Sequence, residues 1–300
     1  MKLYKRFPKI WQTGSKFLVI FVALSAFGCN GTRFIFKASD DIVSTPDEVG
    51  LAYEEVWFTT QDDIKLHAWL VPGEADKPIV VFFHGNAANI SYRVEILQYF
   101  NKMGFSVFIF DYRGFGRSNG HATSEEDLYI DSRGALSYLK SRGWSASRMI
   151  YYGRSMGAAA ALQMGLEIPP AVVVMEAPFT SMADIAWHTA PVTYALLGWW
   201  AIRARFDNIN KIEKLTTSVV IFQGDKDHIV PVEMAERLYQ RAREPKAFYL
   251  IPDGGHSNLF QAGGEKYRKI WLKLADYCQP VKKQTSLFPD TRYSINLSNY

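Results

Sequence analysis

Residues 151–161 read Tyr151-Tyr152-Gly153-Arg154-Ser155-Met156-Gly157-Ala158-Ala159-Ala160-Ala161. One hydroxyl stands between two glycines, with β-type residues before it and helix formers after it. Gly153 and Gly157 clear space around a sharp strand-to-helix turn, which projects Ser155 Oγ above a sheet edge in a strained, accessible position. That is the posture of a nucleophile. The pentapeptide alone decides little, and its flanks carry the weight. Arg148 to Tyr152 reads as a short buried strand. Met156 to Leu166 reads as a helix whose alanines permit close packing on that strand.

Outward from this turn the same rhythm recurs. Ile79 to Phe83, Ser106 to Phe110, Met149 to Tyr152, Ala171 to Met175, Val219 to Phe222 and Ala247 to Ile251 are short continuous apolar runs. Segments of helical period, Ile90 to Lys102, Glu125 to Arg142, Met156 to Leu166 and Val232 to Ala242, separate most of them. Strands without polar alternation are buried on both faces, and helices between them imply right-handed crossovers and a parallel sheet. Glu55 to Thr60 and Ile64 to Val71 instead alternate around Gln61-Asp62-Asp63, which predicts an antiparallel hairpin opening the domain. The predicted fold class is therefore α/β: a mostly parallel central sheet opened by that hairpin, with helices on both faces.

One interval breaks the rhythm. Pro178 to Asn208 is too long for a structureless loop and carries Phe179, Trp187, Tyr194, Trp199, Trp200 and Phe206, so a small helical cap is predicted at 178–208. Its aromatics either pack the cap onto the domain or line an apolar channel. The predicted organisation is a leader at 1–28, a linker at 29–48, the main domain at 49–279 and a mostly polar extension at 280–300.

The chain is 48% hydrophobic and 21% charged, enough for a large core and too apolar for a disordered chain. Its net charge of +4 is concentrated at Lys2, Lys5, Arg6, Lys9 and Lys16, ahead of any acidic residue. The remainder is close to neutral, which gives no reason to expect nucleic acid as a partner. The basic segment precedes an apolar stretch, Phe17 to Phe27, then Gly28 and Cys29. This resembles a bacterial lipoprotein signal with lipid attached at Cys29, with Asn30 pointing to outer-membrane sorting. An uncleaved membrane anchor and a plain secretory signal are the alternatives. All three place the domain outside the cytoplasm or at a membrane. Cys278, the second cysteine, is expected to be a buried structural thiol.

In parallel α/β sheets, ligands bind beyond the carboxyl ends of the strands. The strand ending at Phe83 delivers His84-Gly85-Asn86, the one ending at Tyr152 delivers Ser155, the one ending at Phe222 delivers Asp225 and Asp227, and the one ending at Ile251 delivers His256. A serine hydroxyl needs a base to take its proton, and an imidazole needs a carboxylate to fix its tautomer. His67, His121, His188 and His228 do not combine a strand end with a glycine turn downstream of an acid, whereas His256 does. No His or Cys cluster has metal-ligand spacing. The glycine-rich turn at Asp111, Arg113, Gly114 and Gly116 lacks a Walker lysine, so bracing of a loop by the Asp111 and Arg113 charges is expected there.

HGNAAN (84–89), DYRGFGRSNG (111–120), GRSMG (153–157), EAPFTSM (176–182), GDKDHIVP (224–231) and GGHSNLF (254–260) together resemble the α/β-hydrolase family. Six blocks agree in order over about Leu51 to Tyr277, and they are most similar to its bud-emergence-like branch of serine hydrolases. The sequence departs mildly from that branch, with alanines in HGNAAN and Ala158 where a third glycine is common. The resemblance implies Ser155 as nucleophile, Asp227 as acid and His256 as base, with Asp225 and Glu176 as rival acids. It also implies that His84 orders the oxyanion loop. The backbone N–H groups of Asn86 and Met156 are the expected oxyanion donors. The expected activity is cleavage of an ester or thioester of a small-molecule or lipid acyl substrate through an acyl-enzyme, with no cofactor and no metal. A peptidase or amidase using the same residues, and a tethered pseudohydrolase that only binds, are the alternatives.

Overall fold

The computed structural model describes residues 36–195 and 204–278. The leader with Cys29, the aromatics Trp199 and Trp200, and the 280–300 extension lie outside the described residues.

Apolar runs of β-branched and aromatic residues form the strands because a pleated surface buried on both faces suits them. The main sheet contains β2 (Glu54–Thr59), β3 (Lys65–Val71), β4 (Ile79–Phe83), β6 (Ser106–Phe110), β7 (Met149–Arg154), β8 (Val172–Glu176), β9 (Val219–Gly224) and β10 (Lys246–Ile251). Their spatial order is β10-β9-β8-β7-β4-β6-β3-β2. Only β3 runs antiparallel to its neighbours, β2 and β6; the other ladders are parallel. The predicted class and hairpin both hold. The order reverses at β4: β6 and β7 both follow it in sequence but lie on opposite sides of it in the sheet. Ser155 follows β7, beside this reversal, where parallel sheets leave a crevice for a ligand.

The helices divide between the two faces. α2 (Glu125–Ser141), α3 (Met156–Glu167) and α5 (Val232–Arg241) close one core with Val81, Phe83, Tyr151 and Val173. α1 (Val94–Asn101) and α6 (Leu259–Tyr277) close the other with Val80, Phe82, Tyr152 and Phe222. Alternate residues of one strand thus feed opposite cores. α2 is started by a full capping box between Ser124 and Asp127. Ala158 to Ala161 of α3 are all fully buried, because small side chains let that helix lie close against the sheet. Cys278 is buried at the end of α6, and burial pushes its thiol up to about 12.

One boundary differs from the sequence expectation for a physical reason. The helix expected from Ile90 begins as a 3₁₀ turn, Ile90–Arg93, because the Asn89 side chain caps Ser91 N and holds the first turn tight. α6 is kinked at Gly264, which has φ 48°. After β8, α4 (Met182–Thr189) starts at a Ser181 cap whose hydroxyl accepts from Asp184 N. Phe179 and Phe206 are buried against each other edge to face, while Trp187 is 57% exposed.

A short parallel ladder also forms outside the main sheet. β1 (Lys37–Ala38) pairs with β5 (Ala87–Ala88). Asn89 Nδ2 donates to the carbonyls of Ser39 (2.9 Å) and Asp41 (2.7 Å), and Gly116 N donates to Ser39 O. The stretch read as linker is therefore laid along the HGNAAN loop. Among the described residues, no helix is long and apolar enough to cross a membrane.

Candidate active site

Ser155 sits between β7 and α3 with φ 54° and ψ −117°, a conformation that costs an L-residue about 1–3 kcal/mol unless its surroundings enforce it. The surroundings do. Ser155 N donates to Glu176 O, and Ala158 N to Ser155 O. A Cβ on Gly157 would stand 1.9 Å from Phe83 O, and one on Gly153 would stand 2.2 Å from Gly157 O. The two glycines of the pentapeptide are therefore required by close backbone approach. Ala88, Ala177 and Asp253 also have positive φ, so strain gathers in the loops beyond the strand ends around the site.

The loops after β9 and β10 meet because their glycines touch. A Cβ on Gly224 would lie 2.1 Å from Gly254 O, and Lys226 N donates to that same carbonyl. This contact delivers Asp227 to His256: Nδ1 lies 2.8 Å from Asp227 Oδ2. A carboxylate only accepts, so Nδ1 carries the proton and Nε2 is left as the basic nitrogen. Asp227 Oδ1 also accepts from Ile229 N and Val230 N, and its Oδ2 from Gln223 Nε2. Burial pushes the Asp227 carboxyl up, but the bond and charge of His256, with the two backbone donors, bring it below its ordinary value. It stays ionised at neutral pH.

The rival acids are placed elsewhere. Asp225 is exposed. Glu176 is fully buried, receives Arg154 Nε at 2.7 Å and Tyr267 OH at 2.7 Å, and pairs with Arg154 across the β7–β8 ladder. It braces the strand beneath Ser155. Neither that network nor the Gln223 donor was foreseen from sequence. Their signal was a polar residue in an otherwise apolar strand: Arg154 ends β7, and Gln223 interrupts the run of β9.

Ser155, Met156, Asn86 and His256 all line one cavity of about 410 Å³. Met156 opens α3, in the turn whose N–H groups have no intrahelical partner. Gly85 packs on the turn, its missing Cβ 3.6 Å from Ser155 Cβ. Asn86 Oδ1 accepts from Lys37 N. One side of the wall is apolar: Phe179, Met182, Ile185, Ile229 and Val230.

His84 is buried beneath this loop. Its Nδ1 donates to Gly85 O at 2.8 Å, and Nε2 lies 3.8 Å from Asp111 Oδ1. Asp111 also accepts from Ile90 N, while Arg113 binds Asp131 and Asp62. Burial brings the imidazole down from 6.5 to about 4. Between those values the unfolded chain binds a proton that the folded chain refuses, so stability is complete above pH ~6.5 and falls as the pH drops. The slope from one such group is about 1.4 kcal/mol per pH unit. Urea midpoints measured from pH 7 to 4.5 should fall more steeply for the wild type than for His84→Gln. Parallel curves would place the proton uptake on another group.

With this geometry in place, the comparisons with known proteins define the class. Residues 74–209 match the family described as serine aminopeptidase, S33. The chain belongs to the α/β-hydrolase family. In particular, it is 30% identical over 259 residues to the α/β-hydrolase domain-containing protein WAV2 of Arabidopsis thaliana, covering 80% of this chain and 84% of that protein. It is also 30% identical over 238 residues to the protein bem46 of Schizosaccharomyces pombe, covering 76% and 79%. The esterase Pf2001 of Pyrococcus furiosus shares the fold, with TM-score 0.68 at 20% identity over 82% of this chain and 98% of that one.

Proposed function

We propose that this protein is a serine hydrolase of the bem46-like branch that cleaves a carboxylic ester or thioester through an acyl-enzyme. One observation carries the reading: a serine held in a strained strand-to-helix turn shares a cavity with a histidine bound through Nδ1 to a buried carboxylate. Ser155 Oγ attacks the carbonyl carbon while His256 Nε2 takes its proton. Asp227 holds the imidazole's tautomer and stabilises the imidazolium. The N–H groups of Met156 and Asn86 receive the charge that develops on the carbonyl oxygen. His256 returns the proton to the leaving group, then activates the water that releases the acid. The apolar wall receives an acyl chain. The leader's basic, apolar and Gly28-Cys29 pattern supports a tether at Cys29 that keeps the site beside membrane lipids.

The family description names an aminopeptidase, which supports peptide hydrolysis as the second reading. An aminopeptidase site needs a carboxylate for the substrate ammonium. The described residues lining the cavity include Lys37, Arg93 and Arg154 and no Asp or Glu. Ester chemistry is therefore the better fit. A series of aryl esters, thioesters and aminoacyl amides, compared by kcat/KM, tests this directly. Esters or thioesters should lead; a lead for aminoacyl amides would transfer the assignment to the peptidase.

A further inference from the structure

The cavity has two chemically different walls. The side formed after β8 and β9 is apolar, while the side formed by the HGNAAN loop carries Lys37 and Arg93. Arg154, the third cation of the lining, is already matched by Glu176 at 2.7 Å. Arg93 is different. Its Nη2 donates to Ala87 O at 2.7 Å, which fixes the guanidinium against the loop, and its Nε is buried without a hydrogen-bond partner. Among the described residues, no carboxylate forms an ion pair with it, and Asp111 acts on it less than Arg154 does. Burial, and then the charge of Arg154, lower its pKa to about 10, so it remains a cation at neutral pH.

A cation left without a counter-charge in a mostly apolar cavity is costly unless something else supplies the anion. The guanidinium has a planar fork of donors suited to carboxylate or phosphate oxygens. The basic side, the apolar side and Ser155 line the same cavity, so one ligand can meet all three. We propose that Arg93 is an anion-binding, specificity-determining residue, and that the substrate carries a carboxylate or phosphate in addition to its apolar acyl chain. This rests on the hydrolase reading for the word substrate; the anion site itself does not.

Two measurements on the intact chain test it. The first compares kcat/KM for mono-p-nitrophenyl adipate and p-nitrophenyl hexanoate, which differ by a terminal carboxylate. A charged hydrogen bond of this kind is worth about 10- to 100-fold, so the wild type should favour the adipate by at least about 10-fold. Arg93→Met should bring the ratio to about 1, and Arg93→Lys should restore part of it. Any loss common to both esters, as from a disturbed loop, cancels in the ratio. The second titrates Ser155→Ala with hexyl phosphate, hexanoate and 1-hexanol by calorimetry. Both anions should bind about 10-fold tighter than the alcohol, the tighter one identifies the natural anion, and Arg93→Met should abolish the difference.

Equal handling of charged and neutral compounds, or an anion preference that survives in Arg93→Met, would overturn the proposal while leaving an active hydrolase in place. Anion binding without turnover of either ester would instead retain the site and remove the hydrolase reading.

Discussion

Ser155→Ala is expected to remove turnover of every ester by about 10⁴- to 10⁶-fold, the range seen when a nucleophile that works as one unit with its base is deleted. The same change should abolish covalent labelling by a fluorophosphonate, which the wild type should show. Folding should be nearly untouched, by less than about 1 kcal/mol, because the turn is enforced by the Gly153 and Gly157 contacts and by the Ser155 N bond to Glu176 O, none of which involves the hydroxyl. Urea midpoints and labelling, measured on the same preparations, separate the two effects. A wild type that folds but resists the probe would favour the pseudohydrolase alternative. Activity retained in Ser155→Ala would move the nucleophile elsewhere.

Gly157→Ala is expected to have the largest effect on stability. The added methyl would stand 1.9 Å from Phe83 O, 2.5 Å from Phe83 C and 2.6 Å from His84 O. All three atoms are backbone at the end of the central strand β4, so no side chain can rotate aside. Relief requires α3 and β4 to part, and both contribute to the same buried core. Overpacking of this severity should cost more than about 3 kcal/mol. Gly143→Ala is the instructive contrast: its φ of 86° strains an alanine, but nothing lies within 4 Å of the new methyl, so about 1–2 kcal/mol should be lost. Chemical denaturation of the two variants beside the wild type would measure the difference. Equal losses would mean that α3 and β4 part easily enough to absorb the methyl at position 157.

The fold was largely legible because burial on both faces leaves a simple trace. Runs such as Ile79 to Phe83 and Val219 to Phe222 contain almost no polar residue, and strand length distinguishes them from helices. That Asp227 meets His256, and that His256 lines a cavity with Ser155, was legible mainly through motif order. Spacing alone does not reveal that Gly224 and Gly254 touch. The Arg154, Glu176 and Tyr267 network was hidden because its members come from β7, β8 and α6, and only the sheet's register places Arg154 opposite Glu176. The β1–β5 ladder had no signature at all. Two residues cannot display a period, and Lys37-Ala38 is a poor strand by composition.

That ladder changes where the folded unit effectively begins. A truncation chosen by hydrophobic pattern would start near Leu51 and discard Lys37, Ser39, Asp41 and Val43. Their main-chain groups meet the side chains of Asn86, Asn89 and Ser91. Such a trimmed protein would keep both cores yet lose the splint on the HGNAAN loop, which lines the cavity beside Ser155. The upstream arm is thus part of the scaffold of the cavity, and a pull along the chain at Lys37 is conveyed straight to its rim.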